Sequence, residues 1–146
     1  MTIVQNDIKE VLQKFRNHFS TEEKCLELLS GKKWNDDFIC KKCGNTNYCK
    51  GKKPYSRRCT KCKSDESATS NTLFHNCKIP LSEALEIAIL SCTFPDISSY
   101  ELSRSLGRRH MTCYHFQKKI KACVEGKQKD KFLQGVLNEI YKRIEP

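Results

Sequence analysis

Two Cys-x2-Cys pairs constrain this chain more than anything else in it: Cys40-Lys41-Lys42-Cys43-Gly44 and Cys59-Thr60-Lys61-Cys62, separated by fifteen residues. Thiolates so spaced chelate one ion from a single tight turn. Gly44 follows the first pair, where the chain must bend for backbone N–H groups to face the sulfurs. Together the turns offer four soft ligands, Cys40, Cys43, Cys59 and Cys62, a set that suits one tetrahedral, structural Zn²⁺. Between them, Tyr48 and Tyr55-Ser56-Arg57-Arg58 flank a loop at residues 51–54, enough for two short strands, and residues 66–69 supply a third. The pattern predicts a zinc ribbon.

Disulfides are the competing use of paired cysteines, but they belong to oxidising compartments. The other six of the ten cysteines (Cys25, Cys49, Cys77, Cys92, Cys113 and Cys123) are scattered rather than spaced as a framework. Several fall on apolar helical faces, where a reduced cysteine packs as a small hydrophobe. Cys49, six residues beyond Cys43, is the rival ligand, whereas His75 and Cys77 have no partner at ligand spacing. No stretch reaches the roughly 18 apolar residues of a membrane span. The N-terminus lacks a basic segment leading into an apolar one. The expectation is a cytoplasmic protein with no membrane partner.

Charge is distributed unevenly. Residues 32–63 carry eleven basic and two acidic side chains, residues 64–101 carry one and six, and residues 102–121 carry six basic and no acidic ones. Two basic zones separated by an acidic helix point to a polyanionic partner, most simply double-stranded DNA.

The periodicities divide the chain into an N-terminal helical lid (1–31), the ribbon (32–80), a helical bundle (81–124) and a C-terminal amphipathic helix (125–146). In the first part, Asp7-x-x-Glu10 and Ser20-x-x-Glu23 read as capping boxes opening two helices, and Gly31 ends the second. Trp34 and Phe38 provide apolar cover for the small ribbon. Leu81, Ala84, Leu85, Ala88, Ile89 and Cys92 recur at helical spacing until Phe94-Pro95-Asp96 breaks the run. Ser98-x-x-Glu101 caps a short helix, Gly107 turns the chain, and a basic helix follows from about Arg109 to Val124. That order suggests a helix-turn-helix. Its candidate DNA contacts are Arg108, Arg109, His110, Thr112 and His115 for bases, and Lys118, Lys119 and Lys121 for phosphates. Lys52, Lys53, Arg57 and Arg58 on the ribbon are phosphate candidates as well. The last helix carries Phe132, Leu133, Val136, Leu137, Ile140, Tyr141 and Ile144 as one stripe, which packs on the bundle or pairs with a second copy in a homo-oligomer. The fold class is α+β, mainly α.

Several blocks resemble the opening of bacterial insertion-sequence transposases that begin with a zinc ribbon. They are Thr21-Glu22-Glu23-x-Cys25-Leu26, Trp34-x-Asp36-x-Phe38-x-Cys40-x-x-Cys43-Gly44 and Tyr55-x-Arg57-Arg58-Cys59-x-x-Cys62. Thr72-x-Phe74-His75-x-x-Lys78-x-Pro80-Leu81 and Glu101-Leu102-Ser103-Arg104-x-Leu106-Gly107 extend the likeness into the helices. The resemblance implies a bacterial DNA-recognition module. In that family an RNase-H-like nuclease domain follows, opening on Asp-Glu-x-Tyr. Here the nearest echo, Asn138-Glu139-Ile140-Tyr141, has an amide in place of the metal-binding carboxylate, so no enzymatic activity is expected. Arg109 stands where a capping serine is common, and Gln117 where an apolar residue is expected. Three function classes stay open: a DNA-binding module, a fragment of an active transposase whose nuclease domain lies elsewhere, and a ribbon adaptor that binds protein.

Overall fold

The computed structural model describes residues 5–34, 38–70, 72–75, 78–125 and 131–144. Helices α1 (Gln5–His18) and α2 (Glu22–Lys33) precede a small sheet of β1 (Tyr48–Lys50), β2 (Arg57–Cys59) and β3 (Asp65–Glu66). Helices α3 (Leu81–Thr93), α4 (Ser99–Leu106), α5 (His110–Glu125) and α6 (Lys131–Ile144) follow. The sheet runs β1-β2-β3, antiparallel throughout, with Tyr48 opposite Cys59 and Arg57 opposite Glu66. This is the expected α+β architecture, with the third strand slightly earlier than expected.

Three helix boundaries differ from the sequence expectation. α1 already runs from Gln5, so Asp7 lies inside its first turn, where it favours the positive helix end, rather than capping it. α2 is capped by Thr21, not Ser20: extended backbone at Thr21 aims its hydroxyl to accept from Lys24 N at 3.2 Å. Gly31 does not stop α2, which continues to Lys33 and closes with Trp34 N donating to Ser30 O at 3.0 Å. Tertiary contacts made by Lys33 and Trp34 outweigh the glycine's weak helix propensity.

The apolar residues form two separate cores. The larger draws Ile8, Leu12 and Phe15 from α1, Leu28 and Leu29 from α2, Leu85 and Ile89 from α3, Ile120 from α5, and Leu133, Val136 and Ile140 from α6. The smaller consists of Trp34, Phe38, Cys40 and Cys59. The N-terminal helices therefore bury their apolar faces with the helical bundle, and cover for the ribbon comes from Trp34 and Phe38. An α1 stripe of three large buried side chains needs more partner surface than a ribbon of this size offers. The α6 stripe packs chiefly on α1 and α2 and also meets α5, so its main partners are the N-terminal helices and not the bundle that the sequence suggested.

Polar ties connect these parts. The Glu22 carboxylate, at the start of α2, accepts from Leu81 N and Ser82 N, both at 2.9 Å, at the start of α3. Pro80 precedes α3 and gives it no side-chain cap, so a residue from another helix performs that role. Lys33 is half-buried against the end of the sheet: its Nζ donates to Ser67 O at 2.7 Å and Ser70 O at 2.6 Å, and pairs with Glu66 at 3.3 Å. Burial pulls the Lys33 pKa below its usual value, although Glu66 opposes the shift. Arg16 of α1 pairs with buried Glu86 of α3 at 2.8 Å.

At the α4–α5 corner Ser98 Oγ accepts from Glu101 N at 3.1 Å, as expected. Gly107 adopts φ 67°, a left-handed conformation that closes α4 by donating to Ser103 O at 2.9 Å. Gln117 is buried, and its Nε2 donates to Ile97 O at 2.8 Å. The amide thereby ties α5 to the segment between α3 and α4, which explains a polar residue at an apolar position.

Candidate metal centre and basic surfaces

The two Cys-x2-Cys turns fold alike. Cys40 O accepts from Gly44 N at 2.9 Å and Cys40 N donates to Asn45 O at 2.9 Å; Cys59 O accepts from Lys63 N at 3.0 Å and Cys59 N donates to Ser64 O at 3.0 Å. Each turn needs a left-handed residue four places after its first cysteine. Gly44 fills that position at φ 75° and Lys63 at φ 63°. For lysine this conformation costs roughly 1–2 kcal/mol, which the sheet and a bound metal must offset.

These turns converge the four sulfurs. All lie within 4.8 Å of one another, with Cys40 Sγ 3.5 Å from Cys62 Sγ and Cys43 Sγ 3.5 Å from Cys59 Sγ. A Zn²⁺ with sulfurs at about 2.3 Å in a tetrahedron needs S···S separations of about 3.8 Å. The cluster fits one structural Zn²⁺, held by the four cysteines foreseen. Cys49 is exposed on β1 and is not a member, and Cys77 lies outside the described residues. Among the described residues no second group of three or more metal-binding side chains occurs.

Two residues without a sequence signature complete the site. Asn45 follows Gly44, and its Nδ2 reaches across to Cys59 Sγ at 3.5 Å, with Thr60 Oγ1 at 3.2 Å and Asn47 O at 3.1 Å. Ser64 follows Lys63, and its Oγ lies 3.7 Å from Cys40 Sγ and 3.2 Å from Cys62 Sγ. Each turn thus lends a polar side chain to a sulfur of the other. Cys62 N also donates to Cys59 Sγ at 3.4 Å. That backbone N–H, with help from Asn45 and Lys61 N and against desolvation, lowers the Cys59 pKa to about 6. The Cys43 N–H likewise lowers that of Cys40. Asn45 N–H favours the Cys43 thiolate, but burial and the three neighbouring sulfurs prevail and push its pKa to about 11. A divalent cation bound by the four sulfurs favours their thiolate forms.

Residues 20–65 match a transposase zinc-ribbon domain. The matched segment takes in α2, Trp34, all four cysteines, Asn45 and Ser64, and ends in β3. No curated protein and no solved structure matches the chain. Within the described residues no helix is long and apolar enough to cross a membrane.

Beside the zinc ribbon's metal centre, the basic candidates fall into distinct environments. Arg57 is sandwiched between Trp34 and Tyr48, 4.7 and 4.1 Å from the ring centres, and so braces the ribbon core. Arg58 donates to Lys63 O at 3.2 Å and lies 3.9 Å from Asp65. Lys52 and Lys53 are exposed on the β1–β2 turn. Arg108 pairs with Glu83 of α3, and His110 Nε2 lies 2.6 Å from Ser99 Oγ. Arg109, His115, Lys118, Lys119 and Lys121 are exposed, and Thr112 is half-buried.

Two adjoining clefts connect these surfaces. One, of about 520 Å³, is lined by Lys78 and Ile79 and by Met111, Thr112, His115, Phe116 and Lys119 of α5. The other, of about 300 Å³, is lined by Lys53, Ser67, Thr69, Phe74, His75, Ile79 and Leu81. They meet at Ile79.

Proposed function

We propose that this chain is a zinc-dependent DNA-binding protein, related in design to the DNA-recognition part of an insertion-sequence transposase, and that it performs no catalysis itself. The observation that carries the reading is the pair of clefts meeting at Ile79. They bring Lys53 of the ribbon, Lys78 and His75 of the connecting segment, and His115 and Lys119 of α5 onto one side. Two basic zones distant in sequence thus form one strip suited to a phosphate backbone.

In this reading α4, the Gly107 turn and α5 act as a helix-turn-helix, with the N-terminal half of α5 in the major groove. Arg109 and Thr112 face base edges, and a bidentate arginine contact to guanine contributes roughly 1–3 kcal/mol of discrimination. Lys52, Lys53 and Lys119 neutralise phosphates. The zinc, closed by four thiolates, keeps no coordination position for water and serves folding. Two-metal phosphoryl transfer needs converging carboxylates, whereas Asn138 is an amide. Its neighbour Glu139 is held by Arg143 at 3.0 Å and Lys32 at 3.6 Å.

The test is a salt titration of binding to duplex DNA. Each phosphate contact contributes about 0.9 to the slope of log K against log salt. Lys53→Ala with Lys119→Ala should weaken binding to all duplexes alike and lower the slope by about two units. Arg109→Ala should relax preference at one base position. Affinity indifferent to salt and to these changes would refute the proposal and favour a protein-binding adaptor.

A further inference from the structure

The opposite edge of α5 carries a feature that the duplex reading does not use. Among the described residues five large hydrophobic side chains are exposed, and three of them, Tyr100 at 64%, Met111 at 55% and Tyr114 at 42%, lie on α4 and α5. Two of these join His110 in an aromatic strip. Tyr100 stacks on His110 with ring centres 3.9 Å apart and planes 13° from parallel, and His110 lies 6.2 Å from Tyr114.

The stacking and the Ser99 contact account for His110, which clasps α4 to α5. They do not account for the exposure of Tyr100 or of Tyr114, whose ring also meets His115 edge-on at 5.5 Å. His110, Tyr114 and Lys118 recur every four residues and so share one edge of the helix, about 6 Å apart along its axis. Lys121 continues that edge. Met111, His115 and Lys119 face the cleft on the other side.

We propose that Tyr100, His110 and Tyr114 form a stacking site for unpaired nucleobases of a DNA strand, with Lys118 and Lys121 taking that strand's phosphates. The inference rests on the DNA reading above and adds a second kind of DNA substrate, unpaired rather than duplex. Every nucleobase offers a flat face to an exposed ring, so such a site is tolerant of sequence. The strip's charge fits this occupant. Residues 102–121 contain no acid, and Glu101, beside Tyr100, is bonded to Arg104 at 2.7 Å. A second copy of the chain would instead bring the same lysines against Lys118 and Lys121, and like charges oppose such an interface.

The experiment uses the zinc-loaded full chain and fluorescence anisotropy at fixed salt, with a labelled oligothymidylate and a blunt duplex as probes. Tyr100→Ala and Tyr114→Ala should each weaken single-strand binding by roughly 5- to 150-fold, the measured range for loss of one base stack. Duplex affinity should fall less than single-strand affinity, and Tyr→Phe at either position should preserve single-strand binding. Both side chains are exposed, so the variants keep the fold, which circular dichroism checks. Equal losses on both probes, no loss on either, or Phe variants as weak as Ala variants would overturn the proposal. A dimer dispersed by Tyr100→Ala would overturn it too, assigning the strip to a second copy. Salt-dependent duplex binding without single-strand binding refutes the stacking site alone, whereas no binding to either probe refutes the DNA reading with it.

Discussion

Replacing Glu22 with alanine removes one carboxylate from the positive ends of two helices at once. Its oxygens accept from Leu81 N and Ser82 N at 2.9 Å, while Glu22 itself opens α2. The Leu81 N–H is part-buried and loses its partner, at about 1 kcal/mol, like the loss of an ordinary N-cap. The Ser82 N–H is exposed and turns to water at little cost. Losing the charge at two helix N-termini adds roughly 0.3–1 kcal/mol, towards the lower figure because the side chain is solvated. The expected destabilisation is about 1–2 kcal/mol. With a urea m-value near 2 kcal/mol/M, the midpoint of the zinc-loaded protein falls by about 0.5–1 M. Glu22→Gln keeps one acceptor without the charge and should fall between the two. Urea titrations followed by circular dichroism measure all three proteins. An unchanged midpoint for Glu22→Ala would show that α3 does not depend on this cap and refute the reasoning.

The remaining predictions concern the metal. Protein purified without added metal should contain one zinc per chain by elemental analysis, and Cys40→Ser or Cys59→Ser should lower that content, whereas Cys49→Ser should not. Chelation should release the ribbon and leave the helices, because the two apolar cores are separate. Hydrogen exchange should then lose protection in residues 38–66 while α3 and α6 stay protected, and collapse of both together would show one cooperative unit.

Legibility in the sequence followed from how local each determinant is. The four ligands, the Ser98 cap and the Gly107 turn announce themselves because spacing and residue type carry them. Lys63 does the same backbone work as Gly44, but nothing in a lysine marks a left-handed turn. Asn45 and Ser64 become sulfur partners only because folding sets each turn against the other. The N-terminal helices illustrate a further limit: their stripes fixed that they were buried but not against what, and α3 and α6 proved the partners. Glu22 and Lys33 act across 59 and 37 residues respectively, distances at which no sequence pattern is readable.

Lys33 has a topological consequence. It holds the place where the chain leaves α2 against Ser67 and Ser70, where the chain returns from the sheet. The intervening segment therefore departs and comes back through a single neck, like a cassette clipped into a socket. Changing what lies beyond a closed neck is thermodynamically cheap, since doubling a loop's length adds only about 0.6 kcal/mol. Loops of other lengths could be exchanged between Lys50 and Arg57 while the two metal turns and the neck stay in place.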